Sequence, residues 1–398
     1  MRRPTLNYLK TESGSGLILI GAAALAVVIA NSHYAPRYFA FIAAPLPVRI
    51  DSFVETLSLA GWVRTALMPI FFMVLGMQIK FELLRGELSN HRRLALPALA
   101  ALGGLVGPAA VFIGVNLAMG GSLHAWPVGE ATDVAFALAV LALVGPRLPA
   151  SLRVLLMSVA LADDLADVGL ATVLQPGRID WPMLAGAAGV LAALALLSRW
   201  RKAPFLFYAA GFVLVWGFTL KSGVNTSVAG VLSAFTVPIG TRRLGQESML
   251  KYFMDSLHPY VAFGVLPLFA FTAAGFSLRD ISVGDVLTPL PLGVALALWI
   301  GKPLGVFGFT ALTAGLKIAR RPTGASLAEV LGVGLLCGAG LTVSYFFVGM
   351  TGDGGAARAE AAVRLAVAAA SLLSAIGGAA ILDGAQRART ARSDDGVL

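Results

Sequence analysis

Charged residues are scarce in this sequence, and cysteine is almost absent. Only 13% of the 398 residues are Asp, Glu, Lys or Arg, whereas 58% are hydrophobic and the mean hydropathy is +0.82. A soluble globular domain carries about 25% charged residues, so this composition predicts an integral membrane protein. The single cysteine, Cys337, lies in an apolar run and has no partner, which excludes a disulfide framework within the chain.

The basic residues do not form a pattern typical of nucleic-acid binding. The formal net charge is +9, but Lys and Arg fall in short clusters between apolar segments rather than on one face interleaved with aromatic residues. We therefore expect no nucleic-acid partner. Basic clusters between apolar segments are typical of cytoplasmic loops of a membrane protein.

Apolar windows long enough to cross a bilayer occur along most of the chain. A span needs about 20 predominantly apolar residues. Such windows centre near twelve positions, residues 23, 72, 105, 134, 162, 191, 212, 230, 262, 301, 339 and 372. The first follows a charged N-terminus without a small-x-small cleavage site, so we predict an uncleaved span. The pattern predicts an all-α polytopic membrane protein of twelve transmembrane helices, with one transmembrane domain at 1–385 and a disordered cytoplasmic tail at 386–398.

Two of the predicted spans are interrupted. The fourth carries WPVGEATDVAF and the eleventh carries CGAGLTVS, where glycine and small polar residues break the aliphatic pattern. Both are expected to be discontinuous helices. Interrupted spans in matching halves of a chain are typical of inverted repeats in secondary transporters.

The distribution of basic residues predicts the orientation. If the N-terminus is cytoplasmic, 21 of the 30 Lys and Arg residues lie in cytoplasmic segments, 7 lie on the opposite side and 2 lie within spans. Cytoplasmic loops carry an excess of Lys and Arg, so both termini are predicted to be cytoplasmic. The outer loop at 32–59 is long, and its part at 45–58 is a candidate for pairing across a homodimer.

Several ionisable residues lie inside predicted spans. They are Arg64, Glu130, Asp133, Asp163, Asp164, Asp167 and Lys302. Each such group costs about 2.5 to 3.5 kcal/mol at a helix centre. In LADDLADVGL, residues 161–170, Asp167 shares a helical face with both Asp163 and Asp164. Three like charges in a poorly hydrated cavity cannot all stay ionised, so protons are expected to bind to and leave this patch.

A hard cation is the alternative occupant of the same patch. Carboxylate oxygens, a threonine hydroxyl and freed backbone carbonyls suit such a cation, and Thr132 and Asp133 lie at the break of the fourth span. A patch that holds either protons or a cation, but not both, is an exchanger. The alternative interpretation is structural, with the aspartates paired to Lys302 and Arg64 to lock helices together.

Lys302 lies in the middle of a span, in WIGKPLGVF. A lysine in this setting can serve as counter-ion, proton carrier or both. Snorkelling to the membrane surface is the alternative, but the apolar run extends well beyond Lys302 on each side.

Seven stretches combine these residues into a specific pattern. They are FFMVLGMQIKFELLRGEL at 71–88, ATDVAFALAVLAL at 131–143, ALADDLADVGLATVL at 160–174, LKSGVNTSVAGV at 220–231, LHPYVAFGVLPLFAF at 257–271, IGKPLGV at 300–306 and CGAGLTVSYF at 337–346. Together they resemble the NhaA family of sodium/proton antiporters, over nearly the whole chain.

The resemblance implies a fold and an activity. It implies twelve spans, of which the fourth and eleventh are unwound where they cross at mid-membrane, and inverted repeats formed by spans three to five and ten to twelve. It also implies efflux of Na+ or Li+ driven by inward protons across a bacterial inner membrane. The transported ions are then the ligands, and no enzymatic activity or cofactor is expected.

The resemblance also implies roles for particular residues. Asp163 and Asp164 correspond to the Na+-binding and proton-exchanging pair, with Lys302 as a salt-bridge partner of Asp163. Asp133 and Lys302 correspond to groups that compensate the opposed partial charges at the broken helices. Thr132 corresponds to an accessory cation ligand.

The chain departs from the family pattern in regions linked to the pH response. Gln78 stands where the family typically has a glutamate in its GLE motif, and Asn225 stands where it typically has a histidine in SGVH. Ala273 replaces an amide. We expect activity to persist with a changed pH profile, coupling ratio or ion preference.

Other departures add charge. Arg64 and Thr65 stand where an asparagine and an aspartate are expected, and Glu130 and Asp167 are additional acids. Because Asp167 lies about 5 Å outward of the aspartate pair along span five and Arg64 lies near the outer end of span two, we hypothesise that they pair. Asp167 is then a gating or structural acid, and otherwise an extra ligand.

Three other functions match parts of the pattern. DDLAD also fits the DDxxD motif of prenyl-diphosphate enzymes, but a second aspartate-rich helix is missing from the sequence. An intramembrane aspartyl protease needs its two acids on different helices, whereas adjacent Asp163 and Asp164 point about 100° apart. A sodium-coupled carrier of an organic solute on a similar scaffold is the closest rival.

Overall fold

The computed structural model describes residues 4–50, 53–86, 91–144, 148–173, 179–200, 204–240, 248–279, 281–319, 321–348 and 357–395. The helices, in chain order, are α1 (Pro4–Ala30), α2 (Ala35–Ala43), α3 (Leu59–Trp62), α4 (Met68–Arg85), α5 (His91–Met119), α6 (Val134–Val144), α7 (Ala150–Val173), α8 (Trp181–Leu197), α9 (Phe205–Ser222), α10 (Ser227–Thr236), α11 (Met249–Tyr260), α12 (Leu266–Ala273), α13 (Val283–Val286), α14 (Pro289–Leu296), α15 (Lys302–Gly315), α16 (Leu327–Cys337), α17 (Leu341–Val348) and α18 (Ala357–Asp395). The described chain is mostly helical, as the sequence predicts.

One β-hairpin interrupts the helical pattern. Strands β1 (Pro45–Ile50) and β2 (Phe53–Ser58) pair antiparallel, from Pro45 opposite Ser58 to Ile50 opposite Phe53. The long outer loop predicted at 32–59 therefore contains a short helix, α2, and this hairpin.

Eight helical segments among the described residues are long and apolar enough to cross a membrane. A ninth is counted if Gly14–Ala30 and Ala35–Ala43, which are bent by 118° at their break, form one span. Large apolar side chains are exposed on these segments, including Leu117 and Leu206, at 66% and 65%, as expected for contact with lipid. The prediction of a polytopic membrane protein is confirmed.

The last helix is longer than predicted. It continues past residue 385, where the tail was expected to begin, to Asp395. The tail up to Asp395 is therefore helical, because the alternation of Ala and Arg in AQRARTAR favours a helix over disorder.

The helices group into two compact units. The first comprises Met1–Val27, Asn90–Asp167 and Ala274–Leu398, and the second comprises Val28–Ser89 and Val168–Ala273. In the second unit the hairpin is tied to α9 by an ion pair of 2.7 Å between Lys221 Nζ and Glu55 Oε1. There, too, Trp216 donates a hydrogen bond of 2.6 Å to the Thr65 carbonyl.

Proline explains three irregular turns. π-Helical turns occur at Val63–Leu67, Val261–Val265 and Ala297–Gly301, and in each case the second residue after the turn is proline, at positions 69, 267 and 303. Proline has no backbone N–H, and its ring clashes with the carbonyl four residues earlier. A π-helical turn, which widens the helix by one residue, relieves this clash. The third of these turns ends directly before Lys302.

Helices α5 and α15 approach each other so closely that only glycine fits at the crossing. A Cβ atom on Gly305 would meet the Gly103 backbone carbonyl, and one on Gly103 would meet the Gly305 carbonyl, both closer than real Cβ atoms come. Small residues allow such backbone contact between membrane helices. This crossing fixes the start of α15, where Lys302 lies, against α5.

We expect Gly305→Ala to destabilise the first unit. The added methyl group would force α5 and α15 apart, and overpacking of this kind costs about 1–3 kcal/mol, or a melting temperature lower by about 5 °C. Thermal unfolding of the purified protein in detergent measures this. Gly308→Ala is the matched control because a Cβ there meets open space on the same helix. Equal melting temperatures for the two variants would contradict the close crossing.

Candidate functional site

Six charged side chains are buried together in the first unit. They are Glu130, Asp133, Asp163, Asp164, Asp167 and Lys302, and each is at most 3% exposed. Among the described residues Lys302 is the only base that is buried to this extent. Six of the seven ionisable residues that the sequence analysis places inside predicted spans therefore lie in one buried cluster, and Arg64 does not.

Lys302 pairs with Asp163. The distance from Lys302 Nζ to Asp163 Oδ2 is 2.8 Å, and Nζ also donates a hydrogen bond to the Glu130 backbone carbonyl. The Thr132 hydroxyl lies 2.8 Å from both Asp163 Oδ2 and the Cys337 carbonyl oxygen. A hydroxyl has one proton, so Thr132 donates to one of these acceptors at a time.

Asp133 lies at the N-terminal ends of two helices. It precedes α6, and its Oδ1 accepts a hydrogen bond of 3.2 Å from the Phe136 N–H in the first turn. Its Oδ2 accepts a bond of 2.7 Å from the hydroxyl of Thr342, the second residue of α17. A carboxylate at a helix N-terminus is stabilised by the helix dipole, and the role of Asp133 in offsetting the partial charges of the two helix ends stays a prediction.

The two interruptions of helical structure contact each other. Residues 130–133 separate the short 3-10 turn Trp126–Gly129 from α6, and residues 338–340 separate α16 from α17. The Asp133 N–H donates a hydrogen bond of 2.7 Å to the Ala339 carbonyl, and a Cβ on Gly340 would collide with the Ala131 carbonyl. Backbone groups freed at one break are thus partly satisfied by the other.

Three of the acids have no hydrogen-bond donor. Neither carboxyl oxygen of Asp164, Asp167 or Glu130 has a hydrogen-bond partner among the described residues. Asp167 and Glu130 nonetheless approach to hydrogen-bonding range, and Asp164 is close enough to Asp163 and Asp133 to be repelled by both. Ionised carboxylates only accept hydrogen bonds, so the Asp167–Glu130 approach becomes a hydrogen bond only if one group carries a proton.

These three acids, which have no hydrogen-bond donor among the described residues, are the clearest sign of a ligand site. A buried carboxylate without a donor, a counter-ion or a proton is costly. The structural alternative, in which bases lock the aspartates, accounts for Asp163 alone among the aspartates when only the described residues of this unit are considered. No group of three or more His, Cys, Asp or Glu side chains in the described residues is arranged to hold a metal ion. A transported cation would therefore need hydroxyl or backbone oxygens in addition to two carboxylates.

The other predicted residues lie in the second unit. Arg64 is part of the first π-helical turn and is half-buried, and its pairing with Asp167 stays a prediction. Gln78 is half-buried in α4. Asn225 is buried before α10, where its Oδ1 accepts a hydrogen bond of 2.9 Å from the Ser227 N–H. Ala273 is the last residue of α12.

Thr342 is a site residue that sequence reasoning missed. Its hydroxyl reaches Asp133 across 209 residues of sequence, a separation at which no local pattern operates. The available signal is its position in CGAGLTVS, two residues after the last of the glycines that interrupt the eleventh predicted span.

Thr342→Val is expected to destabilise the contact between the two breaks. The substitution keeps the shape of the side chain but removes the hydroxyl donor, and a buried acceptor left without its partner costs about 1–3 kcal/mol. Thermal unfolding in detergent measures the loss. Thr342→Ser keeps the donor and is expected to stay near wild type; if both variants unfold alike, the hydroxyl does not hold Asp133.

An acidic cluster with a single ammonium group, buried among apolar helices, places this chain among integral membrane proteins, where buried charged residues are candidates for an ion site. Comparison with known proteins identifies the family. The profile of the family Na+/H+ antiporter 1 matches residues 6–382. The chain is 39% identical over 388 residues to a Na+/H+ antiporter NhaA 1 of Syntrophotalea carbinolica, covering 98% of both chains. It is 42% identical over 379 residues to a Na+/H+ antiporter NhaA of Paramagnetospirillum magneticum, covering 94% of this chain and 95% of the relative. The chain therefore belongs to the Na+/H+ antiporter 1 family, and the resemblance found in the sequence is confirmed.

Proposed function

We propose that this chain exchanges cytoplasmic Na+ or Li+ for external protons at the Asp163–Asp164 pair. Family membership supports the exchange of Na+ and protons. One observation supports this location of the ion site. Asp163 is held by Lys302 and Thr132, whereas neither carboxyl oxygen of its buried neighbour Asp164 has a hydrogen-bond partner in the part of the chain that the structure describes. Asp164 is thus the acid of the pair that can accept an ion without first breaking a contact.

Competition for these oxygens couples the two ions. A Na+ or Li+ ion needs ionised carboxylates as ligands, and it would take Asp164 and Asp163, with the Thr132 hydroxyl and freed carbonyl oxygens as further ligands. Protons on the same carboxylates remove that negative charge. Each ion therefore displaces the other, and Asp133 and Lys302 compensate the charges at the two breaks throughout.

The proposal includes twelve spans in a single transmembrane domain. Three further helices, α7 (24 residues), α8 (17) and α10 (10), are mostly apolar, with charged residues only in α7. Added to the nine candidate spans, they make twelve. In this arrangement the 3-10 turn with α6 is span four and α16 with α17 is span eleven. Both are discontinuous and cross at mid-membrane within inverted repeats.

The same proposal places the protein in a bacterial inner membrane with both termini cytoplasmic. The excess of Lys and Arg on one side of the predicted spans supports this orientation. The β-hairpin at 45–58 supports a homodimer, because two-stranded sheets expose strand edges that can pair with a second copy.

Everted membrane vesicles that contain the protein test the function. With an acid interior established by respiration, addition of Na+ or Li+ is expected to release protons, seen as dequenching of a pH-sensitive dye, whereas choline has no effect. Measurements across pH give the profile that Gln78 and Asn225 are expected to alter. Solute-dependent Na+ uptake without dequenching would favour the sodium-coupled carrier instead.

A further inference from the structure

Lys302 lies between two carboxylates rather than beside one. Its Nζ is 2.8 Å from Asp163 Oδ2 and 3.7 Å from Glu130 Oε1. All three side chains are at most 1% exposed.

The donors of Lys302 are not all used. An ammonium group has three N–H donors; one is directed at Asp163 and another at the Glu130 backbone carbonyl. The Glu130 carboxylate accepts no hydrogen bond from a donor in the described ranges, and the side chain within its hydrogen-bonding range is another acid, Asp167. A movement of about 1 Å would bring it from 3.7 Å to the distance of a charge-assisted hydrogen bond.

The position of Lys302 between two carboxylates matters for the exchange reaction, because Lys302 needs a counter-ion at every step. If Asp163 turns to the transported cation, Lys302 loses its salt bridge in a site without water-facing surface, and a buried charge without a partner is strongly unfavourable. We propose that Glu130 is a second counter-ion, which takes over Lys302 when Asp163 binds the transported ion. The Glu130 backbone carbonyl keeps Nζ in place during this exchange of partners.

Glu130 is therefore a positioning residue that acts through Lys302 and not a ligand of the ion. This inference rests on the proposed function, because it assumes that Asp163 leaves Lys302 during transport. It predicts that Glu130 stabilises the ion-loaded state specifically, so its loss should weaken apparent ion affinity without lowering the rate at saturation.

Glu130→Gln tests this in everted vesicles. The variant keeps the backbone carbonyl and the side-chain shape but removes the charge. We expect the apparent KM for Na+ to rise about tenfold, equivalent to about 1.4 kcal/mol, with a maximal rate within about twofold of wild type. The KM for Li+ should rise by the same factor, because the lost interaction is with Lys302 and not with the ion.

Glu130→Asp provides an independent measurement should the glutamine variant fold poorly. Its shorter carboxylate keeps the charge at a greater distance, so a smaller rise of both KM values is expected. Glu360→Gln, at an exposed glutamate paired with Arg364, is the matched control for the substitution and should leave both KM values at their wild-type level.

Two results would overturn the inference while leaving the proposed function intact. Unchanged KM values in Glu130→Gln would show that Lys302 does not use this carboxylate. A change in the preference between Na+ and Li+ would show that Glu130 contacts the ion directly. Retention of exchange in Asp164→Asn, by contrast, would remove the proposed ion site, and absence of Na+- or Li+-dependent dequenching with the wild-type protein would remove the proposed function itself.

Discussion

Asp164→Asn is expected to abolish Na+/H+ and Li+/H+ exchange. The variant keeps the shape of the side chain, but an amide can neither carry the exchanged proton nor supply negative charge to a cation. Loss of one partner of a buried charge pair costs about 2–5 kcal/mol, which corresponds to a factor of about 30 to several thousand in affinity. Dequenching with Na+ or Li+ in everted vesicles should therefore fall to the background of vesicles without the protein.

The stability of this variant should be preserved or improved. Asp164 is buried without a hydrogen-bond partner among the described residues, so replacement by a neutral group relieves a cost of burial rather than breaking a contact. A normal melting temperature together with absent exchange would separate loss of the ion site from loss of the fold. Asp285→Asn makes the same substitution at an acid outside the cluster, paired with Arg358 at 2.7 Å, and is expected to exchange normally.

The result would contradict the proposed site if exchange survived in Asp164→Asn. Should Asp167→Asn instead abolish exchange, the ion would bind one helical turn further along α7, next to Glu130. Asp164 and Asp167 are equally buried, so burial does not show which of them binds the ion. Comparison of exchange in the two variants does show it.

The acidic cluster could be predicted from sequence because it depends on short-range spacing. Asp163, Asp164 and Asp167 lie within five positions of one apolar helix, and the cost of burying charge makes a shared polar patch the expected arrangement. The helices themselves follow from hydrophobic length in the same way. The pairing of Lys302 with Asp163 was implied by the family resemblance.

The long-range contacts of residues at the two breaks could not be predicted in this way. The Thr342–Asp133 hydrogen bond and the Lys302–Glu130 contact join residues 209 and 172 positions apart. Such contacts depend on how helices cross, and sequence periodicity does not determine a crossing. The π-helical turns next to proline could be predicted in part. Each proline predicts a local disturbance of its helix, but it does not predict which turn widens.

The number of membrane spans is also hard to predict from apolar length alone. Helix α7 carries three aspartates and Arg153, and α10 has only 10 residues, so neither satisfies a test based on apolar length. The acids that exclude α7 from the count are the ones that carry the proposed function. Functional charge inside a membrane helix thus weakens the signal by which that helix is recognised.

Lys302→Met is expected to have the largest effect on stability. Its removal leaves Asp163 and Glu130 buried without their shared counter-ion, and breaking a buried ion pair at one partner costs about 3–5 kcal/mol. We expect a strongly lowered melting temperature in detergent, poor recovery of folded protein and loss of exchange. Lys302→Arg keeps the charge and should retain more of the stability, although the planar guanidinium group does not reproduce the geometry of an ammonium.

The double variant Asp163→Asn with Lys302→Met distinguishes a salt bridge from a general need for a base. When both charged partners of a buried pair are replaced, the uncompensated charge of that pair disappears, and stability is often restored; here the charge of Asp163 disappears while Glu130 stays without Lys302, so the restoration is partial. We therefore expect the double variant to unfold at a higher temperature than Lys302→Met while remaining inactive in vesicles. If its melting temperature instead falls further, the stability effects of the two residues are additive, and the 2.8 Å pair would not be the interaction that Lys302 supplies. Recovery of the fold without recovery of transport would show that the charges of Asp163 and Lys302 are needed for exchange and not for helix packing.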